Sequence, residues 1–218
     1  MRNKLVISLL FLLGSLAIAA VSFSSFSVQS DADKSKAKHG ADTLPINPDR
    51  DVIPVLESKT LASRNLLPVG TRSLLKVPAR MRHGDFLWNE RGVSAGTLNI
   101  WVDLRRQTIS AFRNGHEIGT ALIIYGAEDK NSPEGVFRII RKVHDYHSRS
   151  YDAPMPSSLF ITNDGVALHG SPMSARRASH GCIGLPVKFA EKLYAAAKVG
   201  DEVNITRSTG PIDPYAVK

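Results

Sequence analysis

The chain has 218 residues, room for one domain of ordinary size with a sizeable core once a targeting segment and a tail are set aside. Its 28 Lys and Arg against 20 Asp and Glu give a net charge of +8, which favours an anionic partner surface; no basic run interleaved with aromatics appears, which argues against nucleic acid. Cys182 is the only cysteine, so the chain cannot supply it with a disulfide partner.

In chain order, Met1-Arg2-Asn3-Lys4 precedes an apolar run over residues 5–21 broken only by Ser8, Gly14 and Ser15. That pattern is an export signal. Ala17-Ile18-Ala19 offers a cleavage site before Ala20, while the run up to Phe23 is nearly long enough to stay as a membrane anchor. Residues 1–22 are therefore read as a signal peptide or N-terminal anchor, the chain's one expected membrane contact, and the compartment as periplasm or cell envelope. A lone thiol in an exported protein is either reactive or paired between molecules.

Residues 23–96 read as a linker and an irregular N-terminal region. The first part is Ser, Asp, Lys and Ala with little apolar content, as in a solvated linker. In residues 51–96 the apolar positions are interrupted by Pro54, Pro68 and Pro78, and no chemistry is visible; Trp88 is a packing residue.

A mainly β domain is expected over residues 97–207. Leu98, Ile100, Val102 and Leu104 alternate with Asn99, Trp101 and Asp103, the period of a half-buried strand. Residues 108–113 and 117–125 flank Asn114-Gly115, a tight hairpin turn. A loop over 126–135 leads to a strand over 136–142, and His144 and His147 fall in a polar segment read as surface loop. Residues 160–162 and 166–169 form another hairpin around Asn163-Asp164-Gly165, which sets His169 at a strand end. Pro186 opens the one helix expected in the domain, with Phe189 and Leu193 at helical spacing until Gly200; a last strand over 201–206 turns Val203 and Ile205 inward, and residues 208–218 are a tail.

The chemistry lies between His169 and Pro186. A thiol is a nucleophile as thiolate, and an imidazole can take its proton; His169 and His180 are the candidates. His169 is favoured because it can approach from a neighbouring strand. Gly181, lacking a Cβ, lets a substrate carbonyl approach and leaves the Gly181 and Cys182 amides for an oxyanion hole. A zinc site is disfavoured, since the spacing matches no common zinc pattern and lacks a fourth ligand.

Ser179-His180-Gly181-Cys182-Ile183, preceded by a strand ending in His169-Gly170, resembles the signature of the L,D-transpeptidase catalytic domain, the YkuD family. Ser132-Pro133-Glu134-Gly135-Val136-Phe137 is similar to that family's Thr-Pro-x-Gly-x-Phe segment. The resemblance implies a β-sandwich-like domain with one helix after the catalytic cysteine. It also implies Cys182 as nucleophile, His169 as base, the Gly170 carbonyl as its orienter, and Ser179, His180 and Gly181 lining the oxyanion pocket. Tyr151 and Met155, in a Tyr-x-x-Pro-Met-Pro element, are implied to line the cleft. The implied reaction is acyl transfer on peptidoglycan stem peptides, which needs no metal or organic cofactor. Alternatives are a carboxypeptidase or endopeptidase hydrolysing the same thioester, or a catalytically silent wall-binding module. Two departures stand out: the gap between the histidines is short, and Gly184 stands where many members carry Arg. Arg176 and Arg177 are the expected substitutes for that charge.

Overall fold

The computed structural model describes residues 49–77, 80–126, 131–173 and 181–209. The expected signal segment and residues 23–48, the Arg176 and Arg177 substitutes, and the tail beyond residue 209 lie outside the described residues.

Counting from the N-terminus, β1 (Arg50–Val52), α1 (Val55–Ser63), β2 (Ser73–Leu75) and β3 (Phe86–Trp88) precede the strands that the alternating pattern predicts. Those are β4 (Leu98–Asp103), β5 (Thr108–Arg113) and β6 (His116–Leu122), an antiparallel meander. Leu98, Ile100 and Val102 are buried, as their spacing requires. Asn114 and Gly115 have φ of 53° and 80°, so the turn between β5 and β6 uses two left-handed residues whose twist suits a hairpin.

Residues 51–96 differ from the irregular region expected: they carry α1 and parts of three strands that join the sheet. β1 pairs antiparallel with β2, β2 bridges to β6 at Ser73↔His116, and β3 pairs antiparallel with β6. Strands of three residues are too short to show a period of two, and prolines separate them, so tertiary bonds decide their conformation. Arg50 donates through Nη1 to the Glu117 carbonyl and through Nη2 to the Asn89 carbonyl. The Glu117 carboxylate accepts from the Leu75 amide at 2.8 Å and the Ser110 hydroxyl at 2.6 Å. Trp88 does pack: its ring lies edge-on to Phe189 at 5.5 Å, and a Cβ on Gly119 would stand 2.2 Å from it, so glycine there makes room for the indole.

β7 (Gly135–Arg138) and β8 (Arg141–Ser148) replace the single strand expected over 136–142. The chain changes sheets between them. The Ile139 amide bonds the Asp201 carbonyl on one side, and the Ile140 amide bonds the Phe160 carbonyl on the other. His144 and His147 accordingly lie in a strand rather than a loop; β8 is an edge strand, and its polar exposed positions hide the alternation.

β9 (Ala153–Phe160), β10 (Ala167–Gly170) and β11 (Ile183–Leu185) complete a second sheet in the order β11-β10-β9-β8. The helix expected after the cysteine is α2 (Val187–Ala196), and β12 (Glu202–Thr206) returns to the first sheet between β4 and β7. α2 buries Phe189, Ala190 and Leu193 in one core with Leu159, Leu168, Ile183 and Leu185 of the second sheet and Ile100, Val102, Val203 and Ile205 of the first. The Lys142 ammonium closes the helix end, donating to the Tyr194 and Ala197 carbonyls at 2.7 and 2.6 Å.

Candidate active site

Because side chains alternate along strands, the residues next to the core row of the second sheet face away from the core. Leu159, Leu168 and Ile183 are register partners and lie in the core. One step along each strand, Phe160, Ala167 and Cys182 share the opposite face. Cys182 is thus level with Ala167, and His169, paired with Gly184, lies on the same face two residues further on. Ordinary strand spacing and rise set the Cα atoms of Cys182 and His169 roughly 8 Å apart on a diagonal between adjacent strands. His169 thus lies on the strand next to the one that Cys182 leads into.

His169 is buried, and its Nδ1–H donates to the Gly170 carbonyl at 2.9 Å. A carbonyl can only accept, so Nδ1 carries the hydrogen and the neutral ring keeps its lone pair on Nε2. Burial holds the imidazole below its ordinary pKa against the opposing effect of that hydrogen bond. The Cys182 thiol is raised, first by burial and then by the Asp164 carboxylate, against a backbone hydrogen bond at Ala167. Both shifts favour a neutral thiol beside a neutral imidazole. Cys182 Sγ contacts the Gly165 carbonyl at 3.6 Å. Gly165 precedes Ala167 by two residues and His169 follows it by two, so the resting thiol is turned towards the 163–165 hairpin and away from the imidazole.

Of the other expected site residues, Gly181 is buried with φ of 98°, a conformation that favours glycine. A Cβ on Gly170 would lie 3.0 Å from Pro156 Cγ and 3.2 Å from the Pro156 carbonyl oxygen. Met155 is buried with Phe160 and Ala167, and Cys182, Val143 and Tyr146 pack on this cluster. Tyr151 lies exposed in the turn between β8 and β9, beyond the Tyr146↔Met155 pair. Ser179 and His180 lie outside the described residues. Gly184 forms a two-bond bridge with Ile124, and a Cβ there would stand 2.6 Å from Ile124 Cγ1 and 3.0 Å from Ser171 Cβ. Ile124 therefore fills space into which a side chain at position 184 would project.

Sequence reasoning missed Asp164 and Gly165 as neighbours of the thiol, and Phe160, Tyr146 and Arg141 as parts of its face. The first two were legible as a turn beside His169; the others depend on strand register. Among the described residues no three His, Cys, Asp or Glu side chains gather as a metal set.

The class these features define is a two-sheet β domain with a cysteine and a histidine on the sheet face that points away from the core. Residues 98–205 match the model of the L,D-transpeptidase catalytic domain, YkuD, and this domain belongs to that family. Among solved structures, the chain is similar to an L,D-transpeptidase from Stackebrandtia nassauensis, with 24% identity over 54% of this chain and 60% of that one and a TM-score of 0.48. It is also similar to one from Mycobacterium tuberculosis H37Rv, with 21% identity over 51% and 58% and a TM-score of 0.48. A third, from Enterococcus faecium, has 24% identity over 50% of each chain and a TM-score of 0.47. The chain thus spans less than two thirds of the length of each of these. A comparison with curated proteins found no match.

Proposed function

We propose that the chain is a cell-envelope L,D-transpeptidase acting on peptidoglycan stem peptides, carried out of the cytoplasm by residues 1–22. The observation that carries the reading is the shared face of Cys182 and His169, with Nδ1–H of His169 spent on Gly170 so that Nε2 is the free base. Cys182 turns from Gly165 towards His169 and gives its proton to Nε2 as sulfur attacks the carbonyl of the L-centre preceding a terminal D-Ala. Gly181 and Cys182 amides hold the oxyanion. The carbon–nitrogen bond breaks, Nε2 returns the proton to the departing D-Ala amine, and a thioester remains. An acceptor amine then attacks the thioester, its proton passes to Nε2 and on to the leaving sulfur, and the new amide is released. Met155 belongs to the buried cluster on which Cys182 packs, which supports its place as a cleft wall; Ser179, His180 and Tyr151 complete the proposed pocket on the family resemblance alone.

The test is incubation of purified protein with disaccharide-tetrapeptide and an amine acceptor, with products identified by mass. Cross-linked product that disappears in Cys182→Ala is expected, and His169→Ala should slow thiol acylation far more than His180→Ala. Product from the alanine variant would remove Cys182 as nucleophile; release of D-Ala with only the hydrolysed tripeptide would make the protein a carboxypeptidase.

A further inference from the structure

We propose that Arg141 is a specificity-determining residue whose guanidinium receives a carboxylate of the acyl donor while the scissile carbonyl lies at Cys182. The inference rests on the function proposed above and adds what the donor must carry. Three register pairings place Arg141 in the thiol's own row: Arg141 pairs with Phe160, Phe160 with Ala167, and Ala167 is level with Cys182. All four side chains therefore leave the same face of the sheet. Arg141 is exposed, and its guanidinium carbon lies over the Phe160 ring, 3.8 Å from the centroid, with the Tyr146 ring 5.8 Å away. Stacking occupies the flat face of the guanidinium and leaves its edge of N–H donors open, the geometry that matches a carboxylate two-pronged.

Other arginines near the domain's strands already have such partners: Arg138 faces Glu202, Arg207 faces Glu134 and Arg113 faces Glu90. No carboxylate among the described residues pairs with Arg141. Two strand spacings separate Phe160 from Cys182, about 10 Å. Allowing roughly 3 Å for the sulfur to reach its carbonyl and about 3 Å for an Arg–carboxylate bond leaves a donor in which carbonyl and carboxylate are about 4–5 Å apart or slightly more. Both the terminal carboxylate of the leaving residue and a side-chain carboxylate on the residue attacked fit that span.

The experiment measures kcat and KM with four tetrapeptide donors: one with both carboxylates free, one amidated at the terminus, one amidated on the side chain, and one amidated at both. With the first donor, Arg141→Met, which still covers Phe160, should raise KM at least about tenfold with kcat little changed, and Arg141→Lys should recover part of the loss. The penalty should vanish on the singly amidated donor that lacks the recognised group, which identifies it as terminal or side-chain. An Arg141→Met enzyme equal to wild type on the first donor, or a penalty of the same size on all four, would overturn the proposal, the latter assigning Arg141 to ring cover alone. Wild-type protein inert towards every donor, with a thiol that still alkylates, would instead reject the transpeptidase reading, and this inference with it.

Discussion

The Cys182 thiol rests under opposed influences, burial and the Asp164 carboxylate against a backbone hydrogen bond at Ala167. Burial and Asp164 hold its pKa up while burial holds that of His169 down, so both groups are neutral at pH 7, the state the proposed role of His169 as base requires. The acid limb of kcat/KM is therefore expected below about pH 6.5, where the buried imidazole finally takes a proton. A limb at or above that pH would contradict the neutral pair. Removing the negative charge should ease ionisation, so Asp164→Asn should shift the pH profile of iodoacetamide alkylation to lower pH; a profile that stays put or moves up would remove Asp164 from the thiol's surroundings. Gly184 invites the opposite kind of test. With Ile124 Cγ1 2.6 Å from a Cβ placed there, Gly184→Arg should destabilise the fold by about 1–3 kcal/mol and give no gain in kcat/KM. A more active variant of unchanged melting temperature would show that Ile124 yields its place freely.

Strand β9 is where one element sets the shape of the cleft. Its ladder with β8 runs from Arg141↔Phe160 to Val143↔Ser158 and resumes at Asp145↔Pro156, and between them Ser157 is buried with φ of 55°. Strict alternation would send Met155 and Phe160 to opposite faces, yet both lie in the cluster that contacts Cys182. The left-handed residue is thus where β9 departs from strict alternation and brings Met155 onto the thiol's face. Ser157→Gly should keep activity and stability close to wild type, since glycine adopts that φ freely, whereas the β-branched Ser157→Val should lose roughly 2 kcal/mol or more and raise KM. Equal melting temperatures for the two variants would mean that the kink carries no strain. Little of this could be read beforehand. Alternation in Leu98 to Leu104, the Asn114-Gly115 turn and the spacing of Phe189 and Leu193 made the meander and α2 legible, and the motif around Cys182 pointed to the proposed nucleophile and base. A serine in a left-handed conformation has no local signature. The row joining Cys182 to Arg141 exists only through the pairing of four strands.

Across the whole molecule, residues 50–77 and 80–89 are fastened to the sheet of β4, β5 and β6 both by an apolar cluster of Leu66, Leu67 and Leu74 with Phe112 and by buried polar groups. Glu117 lies fully buried at the centre of that attachment. Burial pushes its carboxyl from an ordinary value of 4.5 up to about 7, with hydrogen bonds from Ser110 and the Leu75 amide and the charge of Arg50 pulling the other way. The folded protein then keeps a proton that the unfolded chain has released, so folding takes up a proton between those two values. Stability from this group is present in full below about pH 4.5 and is lost as pH rises towards about 7, by on the order of 3 kcal/mol. Glu117→Gln retains an oxygen to accept from Ser110 and Leu75 but cannot ionise. Melting temperatures of the two proteins between pH 4.5 and 7.5 should therefore diverge: the wild type falls relative to the variant as pH rises, and the variant is at least as stable at the upper end. If the two curves run parallel, Glu117 does not titrate in this window. If the variant instead loses ground as pH rises, the Arg50 guanidinium outweighs burial, and the ionised pair holds β1 and β2 to the sheet.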